Sequence, residues 1–257
     1  MTALPNYSNP VIQVEGLKLA YGDHLVLQNL TFEVQQGSCL VIMGGSGCGK
    51  STLLKSLVGL LPPILGDVQI NKKHLWGDDE LRADILRDLG VLFQGGALWS
   101  SMSIKENVSL PLEIYTDLDE TEVEDLVRYK LSLVGLSGFE DFYPSELSGG
   151  MKKRAGLARA MALDPKILFF DEPSAGLDPI TSRRLDDLIT ELKESLGITF
   201  VVVTHELASI FEIADDAIFL DAQSKSLLEQ GKPKGLLNGS KFPQVIDFLT
   251  RNDSSSS

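Results

Sequence analysis

Residues 38–52 read SCLVIMGGSGCGKST. An apolar run delivers the chain into a glycine-rich loop, and Lys-Ser-Thr follows at once. A short apolar run ending in glycine suits a strand buried on both faces, as in a parallel sheet. The loop meets the spacing G-x-x-x-x-G-K-[ST] at Gly44, Gly49, Lys50 and Ser51. Between strand and helix, this pattern cradles phosphate. Backbone N–H groups along Gly44, Gly45, Ser46, Gly47, Cys48 and Gly49 converge on phosphate oxygens, and the helix opening at Lys50 adds partial positive charge. Lys50 is expected to reach the β- and γ-phosphates, and the Ser51 hydroxyl, followed by Thr52, to face Mg²⁺. MgATP is therefore the ligand this loop predicts, and Cys48 reads as a loop residue without redox chemistry.

Such a loop needs a metal carboxylate at another strand end, and ILFFDEPSAGLDP supplies one. Asp171 is expected to hold Mg²⁺ through its water shell, and Glu172 to act as general base on the attacking water. Two more strand ends fit. Gln94 closes GVLFQ, where an amide can meet Mg²⁺ or the water. His205 closes TFVVVTH, where an imidazole can meet the γ-phosphate. Ligands of open α/β sheets sit outside the carboxyl ends of the strands, which puts all four motifs on one edge. Tyr21, in LAYGDHLVL, is placed to stack on a purine, as aromatic side chains do; its plainer reading is a hairpin core residue.

The remaining pattern alternates strand and helix. Residues 11–35 read as short strands broken at YGDH. A helix is expected from about Lys50 to Leu60, stopped by Pro62 and Pro63. GDVQI and LGVLFQ read as strands, DELRADILRDL as a helix, and KILFF, TFVVV and AIFLD as further strands, with a helix near 180–196. This order implies a mostly parallel sheet covered by helices. From Glu113 to Glu146 the chain carries ten Asp or Glu against Arg128 and Lys130, with helical patterning, and reads as a separate helical subdomain.

Composition narrows the partners. With 257 residues and a net charge of −13, the chain is a poor general binder of nucleic acid or anionic lipid. It has two cysteines, too few for a disulfide scaffold. MTALPNYSNP lacks a basic, apolar leader, and no apolar run reaches 18 residues, so a membrane would be met through a protein partner.

One further stretch, LSGGMKKR at 147–154, is unusual. Ser148 is a good N-cap, and Met151, Ala155, Ala158 and Ala162 fall on one helical face. Gly149 and Gly150 then lie in the first turn, offering bare amides to an anion. Either each chain binds two anions, or this turn caps a phosphate held by another copy. Lys152, Lys153, Arg154 and Arg159 are expected to divide between solvent and the acidic subdomain.

Phosphate loop, Gln94, LSGGM, ILFFDE, SAGLD and His205 stand in an order that resembles ABC-transporter ATPase subunits, over roughly residues 11–235. The resemblance implies an α/β P-loop NTPase (RecA-like) core with a mostly parallel sheet, an antiparallel β subdomain and an inserted α-helical signature subdomain. It implies an ATPase domain over 11–240, its helical subdomain at about 95–165, and a C-terminal extension over 241–257. It implies a head-to-tail dimer holding two ATPs, with Tyr21 on adenine, Ser148, Gly149 and Gly150 on the phosphate in trans, Asp178 at the dimer contact, Glu172 as catalytic carboxylate and His205 as switch. Met151 stands where most of the family carries Gln. LSGGMKKRAGLARAMALDP and FQGGALWSSMSIKENV are similar to the Mla/Mce-type lipid transporter ATPases. That likeness implies phospholipid traffic, a membrane permease meeting Gly95, Gly96 and Ala97, an MCE-domain partner, a STAS-domain regulator, and a place on the cytoplasmic face of the inner membrane. An ATPase for a small-solute importer and a soluble scaffold-type ATPase are the alternatives.

The C-terminal KFPQVIDFLTR puts Phe242, Val245, Ile246 and Leu249 on one helical face, to pack on its own domain or on a second copy or regulator; the serines beyond it are expected to be disordered.

Overall fold

The computed structural model describes residues 10–250; the expectations for the first nine residues and for the serine tail lie outside them. A hairpin of β1 (Pro10–Tyr21) and β2 (His24–Gln35) comes first, then β3 (Cys39–Gly44) and α1 (Lys50–Leu57). β4 (Leu65–Ile70), β5 (Lys73–His74), α2 (Asp79–Arg87) and β6 (Leu89–Leu92) follow. Three helices come next: α3 (Ile104–Tyr115), α4 (Glu120–Leu133) and α5 (Gly149–Ala160). The chain then alternates β7 (Ile167–Asp171), α6 (Pro179–Leu196), β8 (Thr199–Val203), α7 (Leu207–Ile213) and β9 (Asp216–Asp221). It closes with β10 (Ser226–Gly231), α8 (Pro233–Gly239) and α9 (Pro243–Thr250).

Two sheets form. One is antiparallel, in the order β2-β1-β4-β5; the other runs β10-β9-β3-β8-β7-β6 and is parallel except at the β10 edge. The inner strands of the second sheet, β3, β7, β8 and β9, are buried on both faces, and their side chains sort by the two-residue period. Leu40, Ile42, Phe169, Val201 and Ile218 pack toward the antiparallel sheet and α1. Cys39, Val41, Phe170, Phe200 and Phe219 pack toward α3–α9. Three layers result, as the expected α/β fold with an antiparallel subdomain and a helical insert requires.

Some boundaries differ from the sequence reading. The hairpin strands are twelve residues each rather than short. Gly16, at φ 58°, shifts the register between Val14 and Leu17, so both face the core. A Cβ on Gly66 would fall 2.5 Å from the Gly16 carbonyl, which fixes glycine there. α1 ends at Leu57, before the prolines. Gly59 at φ 76° closes a Schellman turn, with Leu60 N donating to Lys55 O (2.8 Å) and Gly59 N to Ser56 O (3.3 Å).

α6 and α7 meet through a buried polar pair, Ser209 Oγ donating to Asp186 Oδ2 at 2.7 Å. Burial pushes the Asp186 carboxyl up to about 6, helped by Asp187, Glu212 and Glu206 and opposed by the Ser209 bond. Because the folded value lies above the ordinary 3.8, folding takes up a proton between those values, and the stability this gives is lost as pH rises through about 6. Asp186→Asn is therefore expected to raise stability by roughly 1–3 kcal/mol at pH 8, the gain shrinking as pH falls toward 4. Urea midpoints across that range check this; a gain independent of pH would contradict the burial of charge.

Candidate nucleotide site

The carboxyl ends of β3, β8, β7 and β6 lie side by side, and each delivers one motif to the same edge. A cavity of about 620 Å³ opens there, lined by Val26, the loop from Gly44 to Thr52, Gln94, Glu172, His205 and Phe248. Backbone geometry makes the loop. Gly44 has φ 147°, and a Cβ on it would fall 2.3 Å from the Leu220 carbonyl of β9. Gly49, at φ 100°, caps α1, and a Cβ there would press on Leu27 at 2.9 Å. Gly45 and Gly47 have open space over them, which leaves room for an anion against the backbone. Cys48 packs into the core below the loop; burial pushes its thiol above the ordinary range, outweighing the nearby Lys50.

Lys50 Nζ folds over the loop, donating to the carbonyls of Gly44 (2.9 Å) and Gly45 (3.0 Å). Ser51 Oγ donates to Asp171 Oδ1 at 3.3 Å, so the two proposed metal residues already meet across the β3–β8–β7 edge. Burial raises the Asp171 carboxyl above its usual range, Glu172 adding to this and the Ser51 bond opposing it. Among the described residues no three His, Cys, Asp or Glu side chains cluster as metal ligands. A hydroxyl and one carboxylate form a hard-oxygen set that fits Mg²⁺ when substrate phosphates complete the shell.

Glu172 has φ 50°, a left-handed conformation costly for a non-glycine residue and concentrated at functional sites. The turn aims its carboxylate at His205. Nδ1 lies 2.9 Å from Oε1 with hydrogen-bond geometry and 2.7 Å from Oε2 without it. Oε2 is thus buried with no donor.

Gln94 sits in the cavity wall, but β6 ends at Leu92, so Gln94 belongs to the loop beyond the strand; likewise β8 ends at Val203, before His205. Tyr21 is 47% exposed and does not line the cavity. Ser148, Gly149 and Gly150 lie elsewhere in the same chain, at the start of α5. Ser148 Oγ accepts from Met151 N (3.3 Å), while the Gly149 and Gly150 amides have no acceptor among the described residues. Gly150 is also glycine because a Cβ would fall 2.4 Å from Thr181 Cγ2. Asp178 caps α6, accepting from Ile180 N, Thr181 N and Thr181 Oγ1, bonds that hold its carboxyl below the usual range.

Of the basic residues of α5, Arg154 meets the acidic subdomain as expected, but through the backbone carbonyls of Val134 and Gly135. Lys153 and Arg159 differ from expectation: they donate to backbone carbonyls of Gln94 and Glu172, and of Gly96 and Ala97. Those carbonyls end α4 or line an open loop, where helix and sheet leave acceptors unfilled. Sequence reasoning also missed Val26 and Phe248. Val26 carries no signal in a strand of ordinary alternation. Phe248 sits on α9, which docks on its own domain by Val245, Leu249 and an edge-on contact of Phe248 with Phe219 at 5.5 Å, leaving Phe242 exposed.

Residues 27–175 match the family model described as ABC transporter. A Haemophilus influenzae relative named "Intermembrane phospholipid transport system ATP-binding protein MlaF" is 39% identical over 93% of this chain and 90% of its own. The Escherichia coli K12 protein of that name is 37% identical, over 93% and 88%. A Mycobacterium leprae relative named "Probable ribonucleotide transport ATP-binding protein mkl" is 40% identical over 93% of this chain. The chain spans 68% of that relative's length and 66% of the M. bovis protein of the same name. Among solved structures, cbiO1 from Clostridium perfringens, part of the ABC transporter complex cbiONQ, has TM-score 0.83 at 28% identity, covering 95% of this chain and 98% of its own. The ATP-binding cassette MJ0796, a dimer in a post-hydrolysis state bound to ADP and Pi, has TM-score 0.78 at 30% identity, covering 86% and 98%. With a family model over more than half of its length and relatives matched along nine-tenths of it, this chain belongs to the ABC transporter ATP-binding subunits, the ATPases of those transporters.

Proposed function

We propose that this subunit hydrolyses MgATP between two copies of itself to drive a permease that moves phospholipid between membranes. The observation that carries the lipid reading is the likeness to the two MlaF proteins along nearly the full length of both partners. The ATPase unit is taken as residues 11–240, with its helical subdomain at about 95–165 and 241–257 as an extension.

In this reading the loop from Gly44 to Thr52 holds the phosphates of one ATP, and Tyr21 stacks on its adenine. Ser51, Gln94 and Asp171 hold Mg²⁺, which offsets charge on the β- and γ-phosphates when bound. Glu172 takes the proton of the attacking water, and His205 holds that carboxylate by its Nδ1 bond and faces the γ-phosphate. The open amides of Gly149 and Gly150, with Ser148, close on the γ-phosphate held by the other copy, and Asp178 lies at the contact between copies. The separation of the two glycine turns within one chain supports two sites built in trans. Closure of the pair moves the permease; hydrolysis reopens it.

No helix among the described residues is long and apolar enough to cross a membrane. A peripheral place on the cytoplasmic face of the inner membrane therefore depends on the permease. Exposed Trp99, two residues beyond Ala97, and exposed Tyr115, which shares a cleft with the Arg159 that bonds Gly96 and Ala97, support a permease-facing groove. An MCE-domain protein and a STAS-domain regulator complete the complex.

The mkl relative supports a second reading, a small-solute importer. Affinity purification from detergent-solubilised membranes separates the two. Co-elution of a permease, an MCE-domain protein and phospholipid is the expected result. Co-elution of a solute-binding protein without lipid would replace the lipid reading, and recovery in soluble complexes alone would replace both.

A further inference from the structure

Lys153 is the one lysine of the signature helix that is withdrawn from water, only 5% exposed. Its ammonium donates to the Gln94 carbonyl and lies 3.4 Å from the Glu172 carbonyl with hydrogen-bond geometry. Among the described residues no other side chain donates to both of these loops. Burying a cation is costly unless its donors are met, so this arrangement is not a by-product of a basic surface. Burial lowers the Lys153 pKa, and the Glu172 and Asp171 carboxylates work against that fall.

The surrounding helix face points the same way. One turn on, Gly156 lets the Gly96 carbonyl approach, since a Cβ there would fall 2.8 Å from it. A turn further, Arg159 donates to Ala97 O at 2.6 Å and Gly96 O at 3.3 Å. Positions 153, 156 and 159 share one face of α5, and the Gln94–Ala97 loop is laid along it. Arg159 directs its hydrogen bonds to that loop alone. Lys153 alone reaches across to β7, where the left-handed turn at Glu172 aims the carboxylate.

We propose that Lys153 is a positioning residue for hydrolysis: its ammonium ties the carbonyl of Gln94 to the carbonyl of Glu172, so that signature helix, metal-facing amide and water-activating carboxylate align together. This rests on the roles given above to Gln94 and Glu172. It assigns the link between helical insert and catalytic strand to one side chain, through main-chain atoms that neither residue's own substitution removes.

The test uses the full chain purified with its membrane complex. Lys153→Met keeps the aliphatic stem and removes the donors. Its kcat for ATP is expected to fall about tenfold or more with KM within twofold, and Lys153→Arg to restore kcat to within threefold. Arg159→Met, which loosens the same loop without touching Glu172, is expected to lose less than threefold. Wild-type kcat in Lys153→Met overturns the proposal, as does an equal loss in Arg159→Met or no rescue by Arg. If Lys153→Met melts below the assay temperature, Lys153→Gln, too short to reach both carbonyls, takes its place, and wild-type kcat there overturns the proposal equally. Glu172→Gln separates the layers: if it is inactive while Lys153→Met is normal, only the positioning role fails; if it turns over normally, the underlying site reading fails.

Discussion

Glu172→Gln is expected to slow ATP turnover by about 10²-fold or more, the scale of a lost general base, while nucleotide still binds. Gln matches Glu in size and still offers an oxygen to His205 Nδ1, which lies 2.9 Å from Oε1. The backbone at φ 50° is set by its surroundings, including Glu172 N donating to Val203 O at 2.9 Å, and none of these contacts needs the charge. What the amide cannot do is accept a proton from the attacking water, as a carboxylate does. Binding and chemistry should therefore separate. Incubated with MgATP, the variant is expected to elute as a dimer that persists, whereas the parent returns to monomer as ATP is consumed. Paired turnover and size-exclusion measurements check both halves. Normal turnover would remove Glu172 from the base role; lost binding would mean the substitution had disturbed the loop instead.

The parts of this site carried by strand ends were legible in the sequence, and the parts carried by approach distances were not. Asp171 and Glu172 follow four apolar residues, and Gly44 follows five residues buried without exception, so the period of the sheet alone puts them on one edge. The glycines of the loop announce themselves because no other residue tolerates φ 147° at Gly44 or φ 100° at Gly49. Strand ends at Leu92 and Val203 were blurred because Phe93 and Thr204 are as sheet-compatible as the residues before them. Lys153 was invisible for a different reason. Lysine has no period that tells a solvated helix face from one covered by a folded-back loop, and the Gln94–Ala97 turn that covers it is a tertiary event. Phe248 was missed for the same reason: it lies off the face of Val245 and Leu249 that packs on the domain, and only the tertiary docking of α9 carries it to the cavity.

Lys50→Met is expected to weaken ATP binding by about 10²-fold or more, because it removes the ammonium proposed to meet the β- and γ-phosphates in a partly dry site. The same change should cost the nucleotide-free protein little. Lys50 donates to the carbonyls of Gly44 and Gly45, and those bonds sit at a loop open to water, which can replace them at about 1 kcal/mol or less. The fold around the loop does not lean on the charge: Gly44 is pinned by the β9 backbone at Leu220, and α1 is packed by Leu53, Leu54 and Leu57. Met keeps the stem over Cys48, so no cavity opens below. Isothermal titration with a slowly hydrolysed ATP analogue and a thermal melt without nucleotide check the two halves together. Unchanged binding would contradict the phosphate-loop reading at its centre. A large loss of melting temperature would mean that Lys50 holds the loop's shape, with its contribution to affinity following from that.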